Sequence, residues 1–201
     1  MYDCAVMIYG GKIVAVFPKA VLSDHNGQPE SRWFSVPDDA PDEIMIGNEK
    51  IPFVRNIVLT LPGGCKVTCI LGDEAESVLA AQTAGALNMA DVILCLAAST
   101  ELAGKKTKKT EAVKVFSDIC NAALVYTSAG SGESTTDAVY SCHHLVAQCG
   151  HILADESSYL LDDVMITSAV IDIEQTENEK IRSGKKTSGA VKIFCVGAEE
   201  E

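Results

Sequence analysis

Lys19 is the first residue whose setting invites chemistry. It follows an apolar run (residues 12–17) and a proline, and proline fixes the backbone where a chain leaves a sheet. A lysine held there can aim its ammonium into a site and stabilise a developing oxyanion; without such a site it is a solvated surface charge. The candidate nucleophiles are the cysteines at 4, 65, 69, 95, 120, 142, 149 and 195. None forms a CxxC pair, and several lie in apolar strand-like runs, which suits buried reduced thiols. Neither Cys nor His shows zinc-site spacing, so no metal is expected. His143 and His144 are neighbours on a strand-like run and face opposite sides, so they cannot act as one ligand pair. Gly132–Asp137 offers Gly, Ser and Thr donors to a phosphate. It lacks the Gly-Lys-Thr ending and following helix of a P-loop, and a structural turn is the better reading.

The elements that would hold these residues follow from hydrophobic patterning. Runs at 3–9 and 12–17, joined by Gly10-Gly11, read as a β-hairpin. Pro18 to about Lys50 is polar and reads as a long loop region. Residues 56–61 and 66–71 read as strands, 74–90 as a helix, and 91–97 as a strand covered on both sides. Apolar residues at 112, 113, 116, 119, 120 and 123 have helical spacing over 108–123, and a strand begins at 124. Beyond Asp137 the pattern is all-β, at 138–141, 144–148, 151–154 and 164–173, with Cys149-Gly150 as a tight turn. An apolar stretch at 190–196 precedes an acidic tail. Alternating strands and helices followed by antiparallel strands predict an α/β fold with an α+β-type mixed sheet and helices on its faces.

Composition narrows the function. The 201 residues are enough for one domain with a sizeable core. A net charge of −12 argues against a nucleic-acid partner, which would need a basic face, and against an anionic membrane surface. Residues 1–17 lack the basic start of a signal peptide, and the longest apolar runs, such as 91–98, are far too short to span a bilayer. A cytoplasmic location is expected.

Three segments carry a family resemblance. The first is 2–34: a strand pair, Pro18-Lys19, then Glu30-Ser31-Arg32-Trp33-Phe34. The second is 87–105 (LNMADVILCLAASTELAGK), a small-residue turn, a strand and a serine-containing loop. The third is 126–156, with the unusual core Gly132-Glu133-Ser134-Thr135-Thr136-Asp137. Together they resemble the glutaminase domain of glutamine-dependent NAD synthetases, in the nitrilase or carbon–nitrogen hydrolase superfamily. The resemblance covers about 2–173 of a single 1–201 domain and leaves 174–201 as a C-terminal extension. It implies a nitrilase-like αββα sandwich, here lacking its first strands, that commonly dimerises.

In that family a cysteine thiolate attacks the glutamine carboxamide, a glutamate is general base and a lysine stabilises the oxyanion. The resemblance places Lys19 at the lysine and Gly72 at the nucleophile, because residues 66–71 run into Gly72-Asp73-Glu74 and the spacing to Cys95 is ungapped. Glycine cannot attack. Cys69, three residues upstream, is expected on the opposite strand face, roughly 10 Å back along the strand. The general-base strand has no counterpart, no residue upstream of Lys19 is a glutamate, and Asp3 is expected on the wrong side of the hairpin. Glu30 matches an acidic residue of the loop after the lysine. His25 replaces a tyrosine, while Ser99 and Lys105 fall in the glutamine-holding loop. The expectation is an inactive homologue with a scaffold or interaction role, without cofactor, forming a homodimer or larger homo-oligomer. A small amide or glutamine-like compound is its candidate ligand. The alternative is a working amidohydrolase that uses Cys69 or a neighbouring chain's base, or one subunit of a split enzyme. The Ser-Gly-Gly-x-Asp-Ser motif of a synthetase domain is absent from the 201 residues, so they are not expected to make NAD.

Overall fold

Gly10 and Gly11 both have left-handed φ, +56° and +79°, as a type I′ turn demands. They fold β1 (Cys4–Tyr9) back onto β2 (Lys12–Pro18), pairing Cys4 with Pro18. The computed structural model describes residues 1–24, 29–72, 84–133, 138–159, 164–184 and 191–197. Within them a second hairpin, β3 (Glu43–Ile46) and β4 (Glu49–Pro52), turns at Gly47 (φ +62°). This corrects the expected loop between 18 and 50: its Glu-Ile-Met-Ile and Glu-Lys-Ile-Pro runs alternate around Gly-Asn, a pattern masked by their polarity.

The principal sheet has seven strands. The elements are β5 (Ile57–Thr60), β6 (Lys66–Leu71), β7 (Val92–Ala97), β8 (Ala123–Ser128), β9 (His144–Gln148), β10 (His151–Glu156) and β11 (Lys192–Cys195). Their spatial order is β10-β9-β8-β7-β6-β5-β11. The central β6, β7 and β8 are parallel, β9 and β10 turn back as a meander, and β5 opposes β6. Strand β11, from the segment expected as an extension, pairs with β5 as an edge strand. The mixed α/β sheet agrees with the sequence expectation.

Side-chain alternation divides the core between two faces. On one face Ile70, Ile93, Cys95, Leu124, Tyr126, Leu145 and Ala147 pack against α2 (Lys105–Cys120), through Val113 and Cys120, and against Leu87 of α1 (Ala84–Met89). On the other, Ile57, Leu59, Cys69 and Leu71 pack under Ala5, Ala15 and Phe17 of the β1–β2 hairpin. The expected helix over 74–90 lies within the described residues only at its C-terminal end.

Two expected strands are absent. Residues 138–141 are irregular, and 164–172 belong to no strand. The chain then enters α3 (Ile173–Ser183), which Asp172 caps by accepting from the Gln175 N–H at 3.1 Å, and Gly184 ends it at φ +58°. The apolar alternation of 164–173 thus belongs to an irregular segment and the first helical residue. No described helix is long and apolar enough to cross a membrane.

Candidate functional site

The β1–β2 register decides what surrounds Lys19. Pairing Cys4 with Pro18 sets Asp3 beside Lys19, whose N–H donates to the Asp3 carbonyl at 2.8 Å. The side chain then runs into the interior and is only 4% exposed. Its ammonium lies 2.5 Å from Glu30 Oε1 and 3.5 Å from Asp3 Oδ2. The other Glu30 oxygen accepts from the Ser23 N–H at 2.7 Å, which fixes the carboxylate. Residues 30–32 form one 3₁₀ turn that presents Glu30 to the lysine. A buried ammonium needs such compensation, because desolvating an unpaired charge is prohibitive.

Asp3 therefore corrects the expectation that it lies on the wrong side of the hairpin. A regular hairpin about Gly10-Gly11 would set residue 3 opposite 18; the bulge between Met7 and Ile8 shifts the register by one, so that Cys4 meets Pro18 and Asp3 falls beside Lys19.

Strand β6 delivers Gly72 to the same point. Its φ is +61°, and a Cβ built there would lie 2.7 Å from Lys19 Nζ and 2.9 Å from Lys19 Cε. The lysine thus fills the space a side chain at 72 would need. Strand parity does not extend to residue 72. Residue 72 lies beyond the pleat with left-handed backbone, so its side-chain direction points at Lys19 rather than following the alternation of β6. Cys69 is still not part of the site. It is buried in the core beneath the hairpin and does not line the cleft.

The cleft has a volume of about 210 Å³ and is lined by Lys19, Glu30 and Asp3, by Leu71 and Gly72 at the end of β6, and by residues 96–99, which end β7 and continue just beyond it. This is the C-terminal end of the parallel strands, where ligands bind in open α/β sheets. The hydroxyl of Ser99 is buried and has no hydrogen-bond partner among the described residues. Such a group is costly to leave unmet and so invites a ligand atom or a water. Lys105 opens α2, half-buried, and is not among the lining residues. His25 and positions 134–137 fall outside the described residues. Among the described residues no group of three or more Cys, His, Asp or Glu is arranged to hold a metal.

No family model matches the chain. By sequence it is similar to the glutamine-dependent NAD(+) synthetase of Mycobacterium bovis, 29% identical over 194 residues, covering 92% of this chain and 27% of that protein. The Saccharomyces cerevisiae glutamine-dependent NAD(+) synthetase is 24% identical over 190 residues, with coverage of 88% and 26%. The chain thus spans about a quarter of the length of the curated relatives it matches. Among solved structures it resembles a glutamine-dependent NAD(+) synthetase from Cytophaga hutchinsonii, at TM-score 0.64 and 18% identity over 77% of this chain and 24% of that one. It also resembles a carbon–nitrogen hydrolase from Helicobacter pylori G27, at TM-score 0.64 and 17% identity over 90% of this chain and 60% of that one. The fold is that of the nitrilase, or carbon–nitrogen hydrolase, superfamily. The carbon–nitrogen hydrolase and the synthetase thus share this fold over most of the chain.

Proposed function

We propose that this chain is a glutaminase-type carbon–nitrogen hydrolase domain that no longer hydrolyses and serves as a binding or scaffold module. The observation that carries the reading is the contact at Gly72. The position that should present a nucleophile has no side chain, and Lys19 occupies the space one would fill. Ser99 is the one hydroxyl among the lining residues. Its hydroxyl has no partner among the described residues, so none of them is placed as a base to take its proton.

The cleft remains suited to a small ligand. One ammonium faces two carboxylates, so its charge favours a neutral or ammonium-bearing compound, and a small amide or glutamine-like molecule meets that demand. A self-associating scaffold is supported by exposed apolar side chains on the hairpin, Val6 and Ile8, and on the segment before α3, Val164, Ile166 and Val170. Apolar surface left open to solvent can serve as an interaction site.

Incubating the purified protein with glutamine and small amides and following ammonia tests the proposal. The expected result is no release above buffer, with a dimer or larger species by light scattering. Release abolished by Cys69→Ala would overturn the inactive reading. The retained Lys19–Glu30 pair and the nearby Asp3 favour one alternative, a hydrolase subunit completed by another polypeptide. Ammonia release that appears only when such a partner is added identifies that case.

A further inference from the structure

We propose that Cys142 is a histidine-activated nucleophilic thiol, a modification site for soft carbon electrophiles of the Michael-acceptor class, separate from the Lys19 cleft. Its Sγ lies 3.6 Å from His144 Nε2. His144 Nδ1 lies 3.2 Å from Thr167 Oγ1, and the Thr167 hydroxyl donates to Glu156 Oε2 at 2.8 Å. The four residues come from the approach to β9, from β9 itself, from the end of β10 and from the irregular segment before α3. Separate chain segments thus converge on one hydrogen-bonded line.

The line has a direction. Thr167 has one proton and commits it to the Glu156 carboxylate, so its oxygen is left to accept. It accepts from His144 Nδ1–H, which makes Nδ1 the protonated nitrogen and turns the Nε2 lone pair toward the Cys142 thiol. That is the tautomer a general base requires, and the imidazolium formed on taking the thiol proton is steadied through Thr167 by Glu156.

The backbone supplies an independent observation. Cys142 has φ +46°, a left-handed conformation that costs a non-glycine residue roughly 1–2 kcal/mol. The conformation is held by the Cys142 N–H donating to the Ala129 carbonyl at 3.0 Å and the Ser128 N–H donating to the His143 carbonyl at 3.1 Å. A strained residue fixed by its surroundings is a mark of functional positions. Cys142 is also partly exposed. Burial pushes up the thiols of Cys4, Cys65 and Cys149, reinforced by Asp3, Asp91 and Glu179 respectively, which makes these three poor nucleophiles at neutral pH.

In the reaction, His144 Nε2 takes the thiol proton and the thiolate adds to the β-carbon of an activated alkene. The S–C bond forms, and the π pair moves to the α-carbon. That carbon takes the proton back from His144, so nothing leaves and no redox change occurs.

The test is a brief pulse of limiting N-ethylmaleimide at pH 7, with labelling resolved by peptide mass mapping and the exposed Cys195 as internal reference. Cys142 is expected to label on the order of tenfold faster than Cys195. His144→Ala should bring it to the Cys195 rate or below. Thr167→Val should slow it, while Thr167→Ser, which keeps the hydroxyl, should not. Absence of label on the buried Cys69, Cys95 and Cys120 in each variant reports an intact fold, and if His144→Ala exposes them the Thr167 pair decides. The proposal is overturned if Cys142 labels no faster than Cys195, or if the Val and Ser variants at 167 react alike.

Discussion

At Gly72 the backbone conformation and the missing side chain work together. A Cβ would approach Lys19 Nζ to 2.7 Å, and φ +61° is unfavourable for any L-residue with a side chain. Gly72→Ala should therefore cost about 1–2 kcal/mol for the backbone alone, plus the displacement of Lys19 from Glu30. Urea unfolding would measure it, and a change near zero would mean that the lysine moves aside freely. Gly72→Cys should not restore ammonia release, because its thiol would enter the space the lysine fills. Glu30→Ala leaves the buried ammonium with Asp3 at 3.5 Å alone. Since Glu30 keeps some solvent contact, the expected loss is about 2 kcal/mol, below the ~3–5 kcal/mol of a fully buried pair. The pairing of Lys19 with Glu30 was approachable from sequence through the family pattern. The approach of Asp3 needed the hairpin register, and the filling of position 72 by Lys19 depends on side-chain placement that no spacing rule contains.

The strands that build the site were legible where apolar runs end at glycine. Strand β6 stops at Leu71 and β9 turns at Cys149-Gly150, as the pattern implied. The hairpin β3–β4 was hidden by charge, and α3 by reading 164–173 through alternation alone. The stronger signals there were Asp172 followed by Gln175 at its start and Gly184 after Lys180 and Arg182 at its end. Helix α3 is anchored by Lys180, which donates to the Met89 and Ala90 carbonyls and to Asp91 Oδ1 at 2.8 Å. Asp91 is 1% exposed and also accepts from the Lys66 N–H, so it ties the starts of β6 and β7 to α3. Lys180→Met should destabilise by about 3 kcal/mol, because it leaves a buried carboxylate without its cation. Hydrogen exchange should show α3 opening first; unchanged protection in 173–183 would contradict this anchoring. Cys149 occupies the first turn position at φ +45°, so Cys149→Gly should stabilise by about 1 kcal/mol, read as a rise in Tm.

Across the whole molecule, stability should fall as acid reaches two buried polar centres that join α2 to the meander. Lys109, 1% exposed, donates to Glu101 Oε2 at 2.7 Å, and the Ser141 hydroxyl donates to the same oxygen at 2.7 Å. Nearby, His143 Nε2 meets Asp155 Oδ1 at 3.0 Å, while its buried Nδ1 has no partner among the described residues. Protonating Nδ1 would bury an unmet N–H. Burial accordingly holds His143 below its ordinary 6.5, against the opposing pull of Asp155. For Glu101 burial pushes upward, but Lys109 and Ser141 outweigh it and the net shift is below the ordinary 4.5. Burial likewise raises Asp155, and the bonds from His143 and Thr110 with the charge of Lys106 bring it below the ordinary 3.8. All three groups bind protons more weakly folded than unfolded, so each contributes stability above its unfolded value that is lost as pH falls toward its folded one. The loss from His143 begins below about pH 6.5, and those from Glu101 and Asp155 begin below about 4.5 and 3.8. Thermal melts from pH 7.5 to 3.5 should show Tm declining in two stages. His143→Gln should flatten the first stage and Glu101→Gln the second, whatever offset each variant adds, because other titrating groups cancel in the comparison of slopes. If the slope between pH 6.5 and 5.5 is the same in wild type and His143→Gln, the buried neutral histidine is not what couples this fold to pH.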